Sequence, residues 1–436
     1  MARLQEVNTK SSPFGWTALL ILAWSAPAWA ENERDLSESV APESATAETE
    51  EPTVLERMIS SPLFRPRVSL NLRSYDFGTE TDHELTQHTW AAGGKLGLVT
   101  PEWRELVSIG AYAYASYPLY VRAPVDRTLL VQPNGDALLV PGESYLNLRR
   151  GSFNVRLYRQ PLDAAYLNDQ DTRMIPNVFE AYALRYSSER IYAAVGHVTR
   201  MKRLNSDEYV PMAEAAGVRG GDTDVSAAGI RWRPNARASA NALVLNNWDV
   251  FSTVYAAGEV GTDLAYQTDL RLSAQYTSQR SVGKEQLGEF DTYTAGLKAA
   301  LGFRRAVVTV AGTMTGSDAG IRSPFGSKPT YLSLMLFEFD RAAERAWLLG
   351  LSYRFDDLGL PSWSFVLNHA QGHGGRDLAL GAEDRRRETD LTVDYRPESG
   401  KLAGLWLRLR YADATEGDRR LQQWRVILNY MIAFGR

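Results

Sequence analysis

The stretch Leu402–Ala414, "LAGLWLRLRYADA", alternates between apolar and basic side chains. One parity holds Trp406, Arg408 and Arg410, and the other holds Leu405, Leu407 and Leu409. Because successive side chains of a β-strand point to opposite faces, this pattern predicts a strand with leucine on one face and arginine on the other. Alternation alone does not distinguish a strand that packs on a soluble core from one that faces lipid, so the rest of the chain must decide.

The composition excludes several classes of function. The chain has 436 residues, of which 44% are hydrophobic, and it includes 21 Tyr, 14 Phe and 11 Trp. It has no cysteine, which excludes disulfides, a thiolate nucleophile and cysteine-ligated metal centres. The net charge of −4 gives no indication of a nucleic-acid partner.

The N-terminus predicts the compartment. A basic start precedes an apolar run over 16–24, and an Ala-Trp-Ala triplet follows at 28–30. This pattern is typical of a signal peptide over 1–30, since the apolar run is too short for a membrane anchor of about 20 residues. Residues 31–65 are acidic and poor in large apolar side chains, so we expect a disordered periplasmic segment there.

The side-chain pattern of residues 66–436 predicts a transmembrane β-barrel. Segments of about ten residues alternate between polar and apolar side chains, and no segment shows sustained helical periodicity. Short connections alternate with long ones at 120–142, 161–177, 203–222 and 318–345. Short turns at one end and long loops at the other are typical of an outer-membrane barrel, with periplasmic turns and extracellular loops. In such a barrel the leucines of the opening stretch face lipid, and Arg408 and Arg410 face a wet lumen.

Parity predicts the number of strands. If both termini are periplasmic the count is even, whereas strand-like runs number about nineteen. The run "YLSLMLFEF", 331–339, is best assigned to a long loop over 318–345, because counting it would move the tight 340–345 turn to the outer side. We therefore predict an all-β antiparallel barrel of about eighteen strands, wide enough for an aqueous channel. An aromatic residue near the C-terminus, Phe434, resembles the signal read by the barrel assembly machinery.

Residues 159–182, "RQPLDAAYLNDQDTRMIPNVFEAY", resemble the third-loop signature of the OprD family of Gram-negative outer-membrane porins. The matching elements are Gln160-Pro161, the run Asp171-Thr172-Arg173-Met174-Ile175-Pro176, and Phe179. Further similar stretches lie at 195–209, 339–365 and 387–412, so the resemblance covers about 67–434. It implies eighteen strands, with loops three and seven folded inward. It also implies a basic ladder opposite an acidic pocket, and passive passage of small solutes, commonly amino acids or other carboxylates.

Alternation predicts which basic residues line the pore. The set comprises Arg73, Arg156, Arg231, Lys298, Arg354, Arg408, Arg410 and Arg425. A positive wall at a narrow constriction attracts anions, and guanidinium groups bind carboxylates through two hydrogen bonds. The resemblance supports Arg73, Arg408 and Arg410 most strongly. The family often has arginine where this chain has Asn368 and Gln371, a difference that leaves fewer basic residues in the ladder.

Acidic residues form the predicted counterpart. In loop three they are Asp163, Asp169 and Asp171, which flank Arg173, and on the strand over 387–396 they are Glu388, Asp390 and Asp394. Two interpretations stay open. Carboxylates that face guanidinium groups across a pore would orient zwitterions, whereas Asp171 and Arg173 could instead fix loop three to the wall through buried ion pairs.

The sequence predicts no catalytic residues, metal site or cofactor. Metal binding needs histidines that converge, yet His83 and His88 are expected in the first outer loop, and His369 and His373 near the eighth. The leading hypothesis is an outer-membrane channel for small solutes, with membrane lipid and a small-molecule permeant as its partners. A weakly selective porin, a surface lipid hydrolase and an adhesive barrel are the alternatives. Either a homotrimer or a monomer fits the sequence.

Overall fold

Eighteen long antiparallel strands form a closed barrel with almost no helix. The computed structural model describes residues 66–122, 125–376 and 385–434. The predicted signal peptide (1–30) and acidic segment (31–65) lie outside the described residues. No helix within the described ranges is long and apolar enough to span a membrane.

The barrel strands follow one another around the wall in chain order. They are β1 (Arg67–Thr81), β2 (Glu84–Val99), β3 (Val107–Val121), β4 (Leu138–Arg150), β5 (Phe153–Gln160), β8 (Val178–Ser187), β9 (Ile191–Lys202), β11 (Val225–Asn235), β12 (Ala238–Asn247), β13 (Phe251–Leu264), β14 (Thr268–Ser281), β15 (Asp291–Phe303), β16 (Ala306–Thr315), β17 (Arg345–Arg354), β18 (Trp363–His373), β19 (Arg385–Tyr395), β20 (Leu405–Glu416) and β21 (Arg419–Phe434). The connections contain the short strands β6 (Asp163–Ala164), β7 (Leu167–Asn168) and β10 (Tyr209–Pro211), the helix α1 (Met212–Ala215) and a 3₁₀ turn over Phe355–Leu358.

The first and last strands close the barrel. Strand β1 pairs with β2 on one side and with β21 on the other, in a register that runs from Val68 opposite Phe434 to Thr81 opposite Leu421. Closure leaves the wall without an unpaired edge, which is the condition for a sheet to cross a membrane. The predicted strand over 422–434 is the larger part of β21.

The long connections predicted from the sequence all lie at one end of the barrel. At the end near residue 66 the connections are short, for example 151–152, 188–190 and 304–305. At the other end the outer loops, numbered one to nine in chain order, are 82–83, 122–137, 161–177, 203–224, 248–250, 282–290, 316–344, 374–384 and 417–418. The run 331–339 lies within loop seven and forms no strand, which confirms that assignment.

Side-chain exposure alternates along the strands. On β20, Leu409 and Tyr411 are exposed on the outer surface, whereas Arg408 and Arg410 share the inward face with the buried Ala412. The same alternation places Trp347 and Leu349 of β17 outward. The leucine face and the arginine face predicted for the opening stretch are therefore the outside and the inside of the wall.

The apolar core lies between the inward face of the wall and loops three and seven. The hydroxyl groups of Tyr166 in loop three and Thr277 on β14 form a hydrogen bond of 2.8 Å, and both residues are buried. Phe325 of loop seven stacks on Phe251 of β13, with ring centroids 6.1 Å apart. Packing of this kind gives the two loops a defined place, which positions the polar groups that they carry.

Candidate channel constriction

Loop three is bound to strand β1 through a buried ion pair. The Nη1 and Nη2 groups of Arg73 donate to the two carboxylate oxygens of Asp171, at 2.6 and 3.2 Å. The Nε group of Arg73 donates to Asn429 Oδ1 at 2.7 Å, and its Nη1 group also donates to the carbonyl of Arg173. The side chains of Arg73 and Asp171 are almost fully buried. Because an unpaired buried charge is costly, this pair fixes the loop against the wall.

Four guanidinium groups lie near Tyr75, and those of Arg173 and Arg425 lie over the neighbouring Phe77 ring, at 5.4 and 5.0 Å. Arg73, Arg173, Arg410 and Arg425 all act electrostatically on the hydroxyl group of Tyr75, and we call these four residues the arginine cluster. Arg410 is also repelled by its neighbour on the same face, Arg408. The cluster draws on β1, loop three, β20 and β21, so only barrel closure brings its members together.

Among the described residues, Arg173, Arg410 and Arg425 form no salt bridge. Burial, and then repulsion from Arg425, lower the pKa of Arg173 to about 10, so this guanidinium group still carries its proton at neutral pH. The arginine cluster therefore gathers positive charge where little water screens it.

Neutral groups hold these guanidinium groups in place. Arg410 donates from Nε to Thr392 Oγ1 at 3.2 Å, and Arg173 donates from Nε to the carbonyl of Thr128 at 2.8 Å. Arg425 donates to Gln423 Oε1 from both Nε and Nη2. Neutral acceptors orient a guanidinium group and leave its charge available to a passing anion.

Two buried carboxylates of β19 hold the tip of loop seven. The oxygens of Glu388 accept hydrogen bonds from the backbone N–H groups of Leu336 and Phe337, each at 2.7 Å. Asp390 accepts one from Met335 N at 2.9 Å. Loop seven covers both carboxylates, which are 0% and 3% exposed. We call this arrangement the loop-seven latch, and its geometry makes Glu388 and Asp390 anchors of that loop.

Loops three and seven are also bound to each other. Asn168 donates from Nδ2 to the carbonyl of Ser327 at 2.8 Å and accepts at Oδ1 from Ser327 N at 2.9 Å. Asn168 N donates to the carbonyl of Phe325 at 3.1 Å. The intervening Gly326 has φ +137°, and a Cβ atom there would lie 2.5 Å from Asn168 Oδ1. Only glycine allows so close an approach without a shift of the backbone.

Loop three carries acids of its own close to one another. Burial, and then the neighbouring carboxylates of Asp171 and Asp163, raise the pKa of Asp169 to about 8. At neutral pH this carboxyl group is therefore largely protonated and contributes little negative charge. Nearby, Glu143 accepts a hydrogen bond from Tyr114 Oη at 2.5 Å and lies 3.7 Å from Lys95 Nζ.

Arg408, the basic residue next to Arg410 on β20, is paired with an acid. Arg408 donates from Nε and Nη2 to the two oxygens of Asp394, at 2.8 and 3.0 Å. The indole of Trp406 also donates to Asp394, at 2.8 Å, and the guanidinium group of Arg408 lies 4.5 Å from its ring centroid. Asp394 thus neutralises the arginine that would otherwise continue the unpaired row.

The other four predicted basic residues have their contacts elsewhere on the wall. Arg156 lies over the ring of Tyr145 at 4.3 Å, and Lys298 lies over the ring of Tyr331 at 4.8 Å. Arg231 donates to Asn241 at 3.1 Å, and Arg354 pairs with Asp356 at 2.7 Å, near the end of the barrel with short turns. Their predicted role in the pore stays a prediction.

The direction in which the side chains of β18 point corrects one comparison made from the sequence. Asn368 shares the inward face, whereas Gln371 lies opposite the outward residues Trp347 and Arg387. The residue at 371 therefore cannot contribute to a basic ladder inside the lumen, and only Asn368 bears on it. Sequence reasoning also missed Asn429 and Gln423, whose inward parity on β21 was the available signal.

The histidines are spread along the wall. His83 lies in loop one, but the prediction that His88 also lies there is wrong, because His88 is on β2 and pairs with Asp76 at 2.8 Å. His369 and His373 are on β18. Within the described ranges, no group of three or more His, Asp or Glu side chains is arranged to hold a metal ion.

Comparisons with known proteins agree with this architecture. The family model described as "outer membrane porin, OprD family" matches residues 147–434. The structure of Pseudomonas aeruginosa OpdK with vanillate is similar over 85% of this chain and 99% of that one, with a TM-score of 0.76 and 21% identity. Pseudomonas aeruginosa OccK9 (OpdG) is similar over 85% and 99%, with a TM-score of 0.77 and 20% identity. None of the curated protein sequences matches the chain.

Proposed function

The chain belongs to the OprD family of outer membrane porins, and we propose that it is a channel for small carboxylates, including amino acids. Such a barrel sits in the outer membrane of a Gram-negative bacterium. In this proposal the segment over 1–30 is cleaved on export, the barrel assembly machinery inserts the chain, and the solute moves down its own gradient. The channel performs no covalent chemistry.

One observation carries the proposal. Arg173, Arg410 and Arg425 gather beside Tyr75, and among the described residues none of them forms a salt bridge. Like charges at close range repel each other, and the carboxylate of Asp390 offsets this repulsion at Arg410 only in part. An anionic solute relieves that repulsion, and the surrounding low dielectric strengthens its attraction.

The donor geometry supports a carboxylate. Arg410 uses its Nε group on Thr392, and no hydrogen bond to a described residue involves its two terminal nitrogens. Two parallel N–H groups of that kind match the two oxygens of a carboxylate. Among the solved structures that are similar to this chain, OpdK was determined with vanillate.

Reversal potentials in planar bilayers test the proposal. Arg410→Gln and Arg425→Gln should each lower the preference for chloride over potassium, and added acetate or benzoate should block chloride current less strongly in both variants. The matched control is Arg190→Gln, an exposed residue in the 188–190 turn, which should leave selectivity unchanged. If both cluster variants keep the parent's selectivity and block, the carboxylate assignment is wrong.

A weakly selective porin is the second candidate, and the ion pairs favour it. Asp171 neutralises Arg73 and Asp394 neutralises Arg408, so two of the basic residues best supported by the resemblance carry no free charge. Under this alternative, neutral sugars and carboxylates of similar size enter liposomes at similar rates. The leading proposal requires the carboxylates to enter faster, and liposome swelling compares the two directly.

A further inference from the structure

Basic residues face outward at the end of the barrel that carries the long loops. Arg345 of β17 shares its face with the exposed Trp347 and Leu349. Arg385 and Arg387 of β19 share theirs with the exposed Leu391. These positions adjoin loops seven and eight, so they lie on the outside of the wall near the extracellular surface of the membrane.

Strand register brings these residues together. Arg345 lies opposite His373 of β18, which in turn lies opposite Arg385. One step further from the loops, Gln371 of β18 lies opposite Arg387. Directly opposed residues of antiparallel strands are about 5 Å apart at Cβ, and the two rows are about 7 Å apart along the strands. We call Arg345, His373, Arg385 and Arg387 the basic belt.

The surface becomes apolar two rows below Arg387. There Leu351, Leu367 and Leu391 stand side by side on β17, β18 and β19. Tyr411 of β20 and Trp424 of β21 continue the same row. Leucines flanked by aromatic residues are typical of the border between hydrocarbon and head groups. The basic belt therefore sits at head-group level, directly above a lipid-facing surface.

The described residues neutralise little of the positive charge of the three arginines in the basic belt. Among the described residues, no hydrogen bond or salt bridge involves the guanidinium groups of Arg345 and Arg385. Arg387 donates only to the hydroxyl of Thr415, at 2.9 Å. The nearest described acid on this outer face is Asp413 of β20, which forms a salt bridge with Arg420 and also attracts Arg387 without a salt bridge to it.

From this arrangement we infer that the basic belt binds the phosphate groups of anionic lipids in the outer leaflet. Guanidinium groups pair with phosphate oxygens through two hydrogen bonds, and each basic residue near a charged membrane surface strengthens binding. The acyl chains of the same lipid would cover the leucine row below. Free phosphate lacks those chains, so the geometry selects a lipid. This inference concerns the outer wall and is independent of the proposed permeant.

Lipid binding to the whole folded barrel in detergent tests the inference. The probe is diphosphoryl lipid A, compared with the same lipid after removal of both phosphates, and bound lipid is counted by native mass spectrometry. The triple variant Arg345→Gln, Arg385→Gln, Arg387→Gln should bind the diphosphoryl lipid roughly a hundredfold more weakly, at about fivefold per arginine. Its binding of the dephosphorylated lipid should not change.

The matched control removes three exposed arginines at the end of the barrel with short turns, through Arg150→Gln, Arg190→Gln and Arg304→Gln. It should bind both lipids as the parent does. The inference is overturned if the belt variant keeps the parent's affinity within twofold, or if the control loses as much. If the belt variant does not fold, the test uses the unmodified barrel. High salt should then weaken binding of the diphosphoryl lipid and leave binding of the dephosphorylated lipid unchanged. Equal affinity for the two lipids contradicts the inference.

Discussion

The loop-seven latch makes a prediction about pore opening. In Glu388→Gln the side chain keeps its shape, but one of its two acceptor oxygens becomes an NH₂ group. One of the two backbone N–H groups, from Leu336 or Phe337, then faces a donor and loses its partner. A buried N–H group without a partner costs about 1–3 kcal/mol. A cost of about 2 kcal/mol shifts the ratio of docked to undocked loop tips by a factor of roughly thirty.

Two measurements report this shift. The chain contains no cysteine, so Leu336→Cys places one thiol at the loop tip. Its rate of modification by a water-soluble thiol reagent should rise by roughly thirtyfold when Glu388→Gln is added. In planar bilayers the same variant should spend more time at a higher conductance level, because an undocked tip leaves a wider passage.

The matched control is Glu180→Gln, which changes a half-buried carboxylate of β8 that contacts Arg159 and Arg200 and has no hydrogen bond or salt bridge to loop seven among the described residues. It should leave both the thiol modification rate and the conductance levels unchanged. If Glu388→Gln behaves like this control within a factor of two, the hydrogen bonds to Glu388 do not hold the loop, and the latch argument is refuted.

Three further predictions concern loop three, its link to loop seven, and the ion pair on β20. Because the docked loop raises the pKa of Asp169 from 3.8 to about 8, it holds this proton more tightly than an undocked loop. Loop docking should therefore weaken as pH rises from about 4 to about 8. The preference for chloride should fall through about pH 8 as the carboxylate forms. In reversal-potential titrations, Asp169→Asn should abolish this pH dependence. Gly326→Ala should separate the two loops and increase protease cleavage of loop seven, whereas Gly288→Ala, with φ +83° but open space around it, should not. Asp394→Asn should raise chloride preference by releasing the charge of Arg408, and unchanged reversal potentials would contradict that role.

The sequence by itself determined the barrel. The alternation of side chains along the strand assigned Leu409 to the outside and Arg410 to the inside. A strand between lipid and water points its apolar side chains to one face and its polar side chains to the other. The requirement for an even number of strands then assigned the run 331–339 to a loop, and the structure confirms that it lies in loop seven. These inferences needed only local geometry and the requirement that a membrane sheet closes on itself.

Only the tertiary structure decided what each inward charge contacts. Asp171 and Arg73 are 98 residues apart in the chain, and Glu388 meets the backbone of loop seven from about fifty residues away. No alternation pattern encodes such partners, because they depend on how a long loop folds back into the barrel. The same fold gave Arg408 a salt bridge and gave Arg410 none with a described residue, although the two residues stand side by side on one face. Which inward charges are neutralised therefore depends on strand register and on loop docking, and side-chain parity specifies neither.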